Sequence, residues 1–141
     1  MKKTAIVTGG TSNQYPAMAV LALNIADKCP NIADELVIFY DDIPLEQQKL
    51  INSIFPTRFI KYESPFSHVD NFSEVIQNYF SPFLFCKYEC FRLLDEYQTV
   101  IWIDYDMVIT QDISELKEKN KADAKFISSK FLGQKFNDKV F

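Results

Sequence analysis

The sequence predicts an α/β fold, a mostly parallel sheet flanked by helices. Two observations lead there. Short, nearly all-apolar runs recur at residues 3–8 (KTAIVT), 35–40 (ELVIFY), 57–62 (TRFIKY) and 99–104 (TVIWID), the pattern of strands covered on both faces. Helix-length stretches separate the first three runs, and β-α-β-α-β alternation is how a parallel sheet is written in a chain. At 141 residues the chain is expected to form one domain, 1–141, with room for a hydrophobic core.

The elements follow in order. After the first strand, Pro16 suits a first helical turn, and AMAVLALNIADKC is apolar on all sides, as a helix packed on a sheet should be. The second helix starts near Pro44, with Leu45, Leu50, Ile51 and Ile54 as its apolar stripe, and stops before Pro56. ESPFSHVDNF reads as a loop. Two helical segments then follow, divided at Ser81-Pro82, a cap and first-turn pair. In the second of them Lys87 precedes Cys90, Phe91 and Leu94 by three, four and seven positions, which puts it on or beside that helix's buried stripe. Beyond the fourth strand, DISELKEK starts a helix and DAKFISS reads as a last strand.

Composition excludes several classes. The net charge of −4 argues against a nucleic-acid partner held through a basic surface. No apolar run is long enough to span a bilayer and the N-terminus lacks a signal peptide's apolar stretch, so a cytoplasmic address is expected. Cys29, Cys86 and Cys90 are odd in number and widely spaced, which does not make a disulfide framework. Cys86 and Cys90 lie four apart, as two metal ligands would. The lone histidine, His68, leaves a zinc site without partners, and buried free thiols are the preferred reading.

Two stretches carry chemistry. IVTGG at 6–10 resembles the opening of a dinucleotide-binding turn, but the next glycine is Gly133. Without later glycines the backbone cannot cradle a pyrophosphate. VIWIDYDMVITQDISEL at 100–116 ends an apolar strand in Asp104-Tyr105-Asp106. Side chains two apart in an extended chain face one side. Two carboxylates together beside a hydrophobic strand need protonation, a basic partner or a divalent cation. A hard cation at the carboxyl end of a parallel strand would be placed to take phosphate oxygens. The plainer reading is that the two acids punctuate the strand, one capping a turn and one solvated. For Lys87 the plainer reading is an aliphatic stem over apolar surface with its head in water.

The segment VIWIDYDMVITQDISEL resembles the metal-binding segment of family 8 glycosyltransferases, of the form V-hydrophobic-Y-L-D-x-D followed by two hydrophobic residues, x-x-D-hydrophobic-x-x-L. FSPFLFCKYECFRLLDEYQTV is similar to the helix before that strand, where a basic residue stands seventeen positions ahead of the first aspartate, here Lys87. IVTGGTSNQYPAMAVLALN resembles the family's first strand and base-binding loop, and VIFYDDIPLEQQKLI its second strand and helix. The resemblance implies a GT-A (Rossmann-like) fold, incomplete at the C-terminus, a UDP-sugar donor, and a Mn²⁺ (or Mg²⁺) ion held by Asp104 and Asp106. It implies Thr8 and Gly9 lining the uracil pocket and Asn13 on the base or ribose. Lys87 would lie on the donor's phosphates or sugar, and the acids on metal and ribose with Tyr105 between them. A hexose would pass, with retention, to a carbohydrate or glycolipid hydroxyl.

The sequence departs from the family at Tyr105, where a small residue is usual, and in a longer opening loop. Family members also continue well past this length, with an asparagine-containing strand, the acceptor surface and a late histidine ligand. The chain is therefore expected to be the donor-binding half of an enzyme that turns over slowly or not at all alone; the residues assign no catalytic group. Two other classes compete. A NAD(P)-binding oxidoreductase would use Thr8-Gly9-Gly10, with Asp41 or Asp42 holding a ribose. A non-catalytic interaction domain descended from a transferase would self-associate through the face left by the absent half.

Overall fold

A computed structural model describes residues 2–66 and 82–117. Its strands are β1 (Lys2–Gly10), β2 (Glu35–Tyr40), β3 (Thr57–Lys61) and β4 (Tyr97–Trp102), and its helices α1 (Tyr15–Lys28), α2 (Leu45–Ile54) and the single turn α3 (Cys90–Leu93). Short 3-10 stretches cover Ser12–Gln14, Pro82–Glu89 and Ser114–Lys117. The sheet is parallel throughout, in the order β3-β2-β1-β4. The chain thus builds outward from β1 to β3, then crosses back to lay β4 on β1's other side. The predicted α/β class holds. The expected strand at DAKFISS, the helical segment before Ser81 and the loop residue His68 lie outside the described residues.

Strand periodicity splits the core in two. On one face Ile6, Leu36 and Ile38 pack with Met18, Leu21 and Ile25 of α1 and Ile51 of α2. On the other, Ala5, Val7, Val37 and Phe39 meet Cys86 and Leu93 of the segment that covers the sheet. Both faces of β1 and β2 are therefore dry, which explains their continuous apolar sequence.

Three local expectations need correction. In α2 only Ile51 is buried and Ile54 partly so, whereas Leu45 and Leu50 are 63% and 56% exposed. With ten residues, α2 meets the core along a narrow line rather than a broad stripe. Residues 82–93 wind first as a 3-10 stretch and then as one α turn. Their inward row is Phe83, Cys86, Cys90 and Leu93, while Phe91 and Leu94 are 69% and 46% exposed. Lys87 stands one residue off that row. β4, expected to be fully buried, is half-exposed beyond Tyr97, since its only neighbour among the described residues is β1.

The N-terminal ends of the strands are tied by polar groups. The Tyr97 hydroxyl donates to the buried carboxylate of Glu35, and Arg58 of β3 pairs with Glu96 at 2.6 Å. Asp34 accepts from the Thr4 amide at 2.9 Å while its own amide donates to the Thr4 carbonyl at 2.9 Å. At the opposite end Gly9 permits a close approach. A Cβ there would lie 2.5 Å from Cys86 Sγ, 3.3 Å from Phe39 Cβ and 3.4 Å from Trp102 Cη2. Only hydrogen fits.

Two predictions follow from this packing. Gly9→Ala should lower unfolding free energy by about 1–3 kcal/mol, the usual cost of overpacking, and adding Cys86→Ala should return part of it. Urea unfolding of the four-member cycle measures this, and an unaffected Gly9→Ala protein would contradict the packing. The second concerns alkali. Burial pushes the thiols of Cys86 and Cys90 up from 9.0 to about 12 and about 11. Burial, then the bond to Glu35, raises Tyr97 from 10.0 to about 12. Each is kept neutral by the fold, so its contribution is full below the unfolded pKa and lost as pH rises through the folded one. Thermal melts should show stability falling between about pH 9 and 12, with a shallower fall in Cys86→Ala/Cys90→Ala; an equal slope in both proteins would refute the assignment.

Candidate functional site

The strand order reverses between β1 and β4, and in open parallel sheets ligands bind at such a point, outside the carboxyl ends of the strands. β1 delivers Thr8-Gly9-Gly10 and the loop 11–14 to one side of this crevice. β4 delivers Trp102, Ile103 and Asp104 to the other. Val7 pairs with Trp102, and the Ile103 amide donates to the Val7 carbonyl at 2.9 Å.

The acidic pair is not on a strand. β4 ends at Trp102, and Asp104-Tyr105-Asp106-Met107 forms a turn closed by the Met107 amide on the Asp104 carbonyl at 3.1 Å. The alternation of an extended chain therefore does not govern where these two side chains point. Asp104 is half-buried, and its Oδ1 accepts a hydrogen bond from Trp102 Nε1 at 2.7 Å. Asp106 is exposed, with no partner among the described residues. Tyr105 leans on the α1-side core, beside buried Ile103 and Ile109. The Ile109 amide reaches Asn24 Oδ1 of α1 at 3.3 Å, so the stretch after the turn is fastened to the first helix. Asp112 accepts from the Ser114 amide and hydroxyl at 2.9 and 2.6 Å, bonds that hold its carboxyl below the usual range. It caps the 3-10 turn that follows.

The β1–α1 loop is held by two side chains. Gln14 Oε1 accepts from the Thr11 amide at 2.6 Å and the Thr11 hydroxyl at 3.1 Å. Gly10 makes room for it, since a Cβ there would lie 2.9 Å from that same oxygen. From the end of β2, Asp41 Oδ1 accepts from the Ser12 amide at 2.8 Å and from the Asp42 amide at 2.6 Å. Asn13 is left exposed on the loop, without a partner among the described residues. Thr8 is fully buried, and its Oγ1 lacks a hydrogen-bond partner among the described residues.

The predicted site residues thus divide. Gly9 abuts Cys86 and Trp102, Trp102 bonds Asp104, and Lys87 follows Cys86 along the covering segment. These share one side of the sheet. Thr8, one residue from Gly9, turns its side chain to the α1 face, as does Tyr105. Lys87 is half-exposed and makes no ion pair among the described residues. Sequence reasoning missed Gln14 as a loop staple, although Thr11-x-x-Gln14 is the pattern of a capping box. It also missed Asp41 as a clamp and Trp102 as a partner of Asp104, for which no local signal exists. Asp41's Oδ1 is committed to two amides, which weighs against its holding a ribose in a dinucleotide site.

Cys29, Cys86 and Cys90 are free thiols, the first two buried. Among the described residues no three His, Cys, Asp or Glu side chains gather as a metal cage. No helix among them is long and apolar enough to cross a membrane.

Comparison with known proteins gives the arrangement a context. No curated protein matches the chain. Among solved structures, the apo structure of WbbM, a bifunctional glycosyltransferase, is similar with a TM-score of 0.57 at 18% identity. The likeness covers 83% of this chain and 21% of that one, so the chain spans about a fifth of WbbM's length. At such identity the likeness speaks for fold, and it agrees with the GT-A-like sheet described above. The family model described as Glycosyl transferase family 8 matches residues 5–130. That span takes in the sheet from Ala5 of β1 onward, the β1 loop and the acidic turn, and the chain belongs to glycosyltransferase family 8.

Proposed function

We propose that the chain is the donor-binding part of a metal-dependent glycosyltransferase, holding a UDP-sugar at the carboxyl ends of β1 and β4 with Mn²⁺ or Mg²⁺ at Asp104 and Asp106. One observation carries the reading. In a family 8 chain, the loop after β1 and the acidic turn after β4 flank the point where the strand order reverses. The donor set suits such an ion. Mg²⁺-like cations are commonly held by one or two carboxylates and complete their shell with water and substrate phosphate. Asp104 keeps Oδ2 outside its bond to Trp102, and Asp106 is exposed. When bound, the ion supplies Lewis-acid stabilisation of charge on the leaving diphosphate.

The chain's own residues supply the rest. Lys87, unpaired among the described residues, offers a positive charge to phosphate or sugar. Asn13, on a loop whose shape Gln14 and Asp41 already fix, offers its amide to base or ribose. Thr8 contributes the one buried side-chain oxygen among the described residues still lacking a partner. A preset loop loses little freedom when the nucleotide arrives. The hexose, its carbohydrate or glycolipid acceptor and the retaining outcome are carried from the family to the whole enzyme, with the isolated chain weakly active or inactive.

A second reading, a self-associating interaction module, draws on the exposed row Leu84, Tyr88, Phe91 and Leu94 along the outer side of residues 82–94. Ligand response separates the two. At about 100 times its Kd, UDP with Mn²⁺ should add about 2.7 kcal/mol to stability, visible as a raised Tm, while NAD gives no shift. Concentration-dependent dimerisation with no nucleotide response would favour the module.

Two variants probe the assignment. Asp106→Asn should remove the Mn²⁺-dependent part of the UDP shift and leave the unliganded Tm in place, since the side chain is exposed. A parent-like response would remove Asp106 from the site. Lys87→Ala should weaken UDP-sugar binding by roughly 1.5–3 kcal/mol, the range for a hydrogen bond to a charged group. Calorimetry would read it, with uridine, which lacks phosphates, as the control that should bind both proteins equally.

A further inference from the structure

We propose that Trp102 is a positioning residue of the cation site, acting through Asp104 to favour Mn²⁺ or Mg²⁺ over Ca²⁺; this rests on the donor-site reading above. The indole Nε1–H donates to Asp104 Oδ1 at 2.7 Å. That bond orients the carboxylate and draws on the charge of Oδ1, which makes Oδ2 the better ligand and disfavours bidentate coordination. Small octahedral cations accept such a ligand. Ca²⁺ takes six to eight oxygens, often with a bidentate carboxylate among them. Occupying Oδ1 therefore selects by coordination number rather than by charge.

The indole is anchored more firmly than a loop residue would be. Trp102 is the last residue of β4, paired in register with Val7. It packs on the cluster of Val7, Phe39 and Cys86, and its Cη2 borders Gly9. The Ile103 amide bond to Val7 fixes the backbone just beyond. Asp104 follows two residues later in a turn closed by one backbone bond. Its side chain takes its direction from the strand through the indole, as metal-ligating groups generally take theirs from a second layer of hydrogen bonds.

Trp102 is the chain's only tryptophan, so its indole N–H gives a single resonance by NMR. In the full chain, UDP affinity is measured by calorimetry without cation, with Mg²⁺ and with Ca²⁺, for the parent, Trp102→Phe and, as a second ring lacking the indole N–H, Trp102→Tyr. Trp102→Phe should lower UDP affinity in Mg²⁺ by about tenfold, the scale of outer-layer changes at metal sites. The loss in Ca²⁺ should be smaller, so the Mg²⁺/Ca²⁺ ratio contracts, and cation-free affinity should hold. In Asp104→Ala the parent indole resonance should move and its hydrogen exchange quicken, a readout that needs neither cation nor a Trp102 variant. A folded Trp102 variant that keeps the parent's ratio, or an indole resonance indifferent to Asp104→Ala, overturns the proposal. A parent whose UDP binding ignores cations overturns the donor-site reading and this inference together; cation-dependent binding with an unchanged ratio overturns this inference alone.

Discussion

The absence of a side chain at Gly9 is the constraint on which the rest of this structure depends. Three groups converge there: the Cys86 thiol from the covering segment, Phe39 from β2 and the Trp102 indole from β4. A methyl group would hold the covering segment off the sheet, leaving the apolar face of Val7, Val37 and Phe39 poorly sealed. The indole that bonds Asp104 borders the same position. Glycine at this position lets the Cys86 thiol approach the sheet, as Gly10 makes room for Gln14.

The two sides of the crevice are stabilised differently. After β1, the loop is stapled by Gln14 within itself and by Asp41 across 29 residues, both accepting backbone amides that would otherwise stand open at the start of the 3-10 turn Ser12–Gln14. After β4, the turn relies on one backbone hydrogen bond and the indole, while Asn24 fastens the chain only at Ile109. A doubly clamped loop thus faces a sparsely tied acidic turn at the strand-order reversal. The opposite end of the sheet has another task. Tyr97 on Glu35 and Arg58 on Glu96 knit β2, β3 and β4 at their starts, far along the strands from the crevice.

Much of the fold was legible in the chain because strands covered on both faces have no polar positions to hide. The run 35–40 matches β2 residue for residue, and the alternation of runs and helices required a parallel order. Pro16 marked the first helix and Pro56 the end of the second for the local reason that proline restricts its own backbone and its predecessor's. Periodicity misled where helix was short or tight. The stripe counted from Lys87 is one position out of phase with the buried row Phe83, Cys86, Cys90 and Leu93, which leaves Phe91 and Leu94 exposed.

The site shows the same division. By itself the sequence determined where the charges stand, Lys87, Asp104 and Asp106 among them, and that Asp104 comes at the end of an apolar run; residue type and apolar patterning are local properties. Only the tertiary structure decided that β4 lies against β1, that the strand stops at Trp102 so the acids fall in a turn, and that Asp41, Gln14 and Trp102 hold the elements around them. The loop clamp joins residues 29 apart, and the indole that bonds Asp104 packs beside Gly9, nearly a hundred positions away. Local sequence specifies conformation through nearest neighbours, whereas these contacts depend on strand register and side-chain volume, quantities that acquire values only when the sheet has closed.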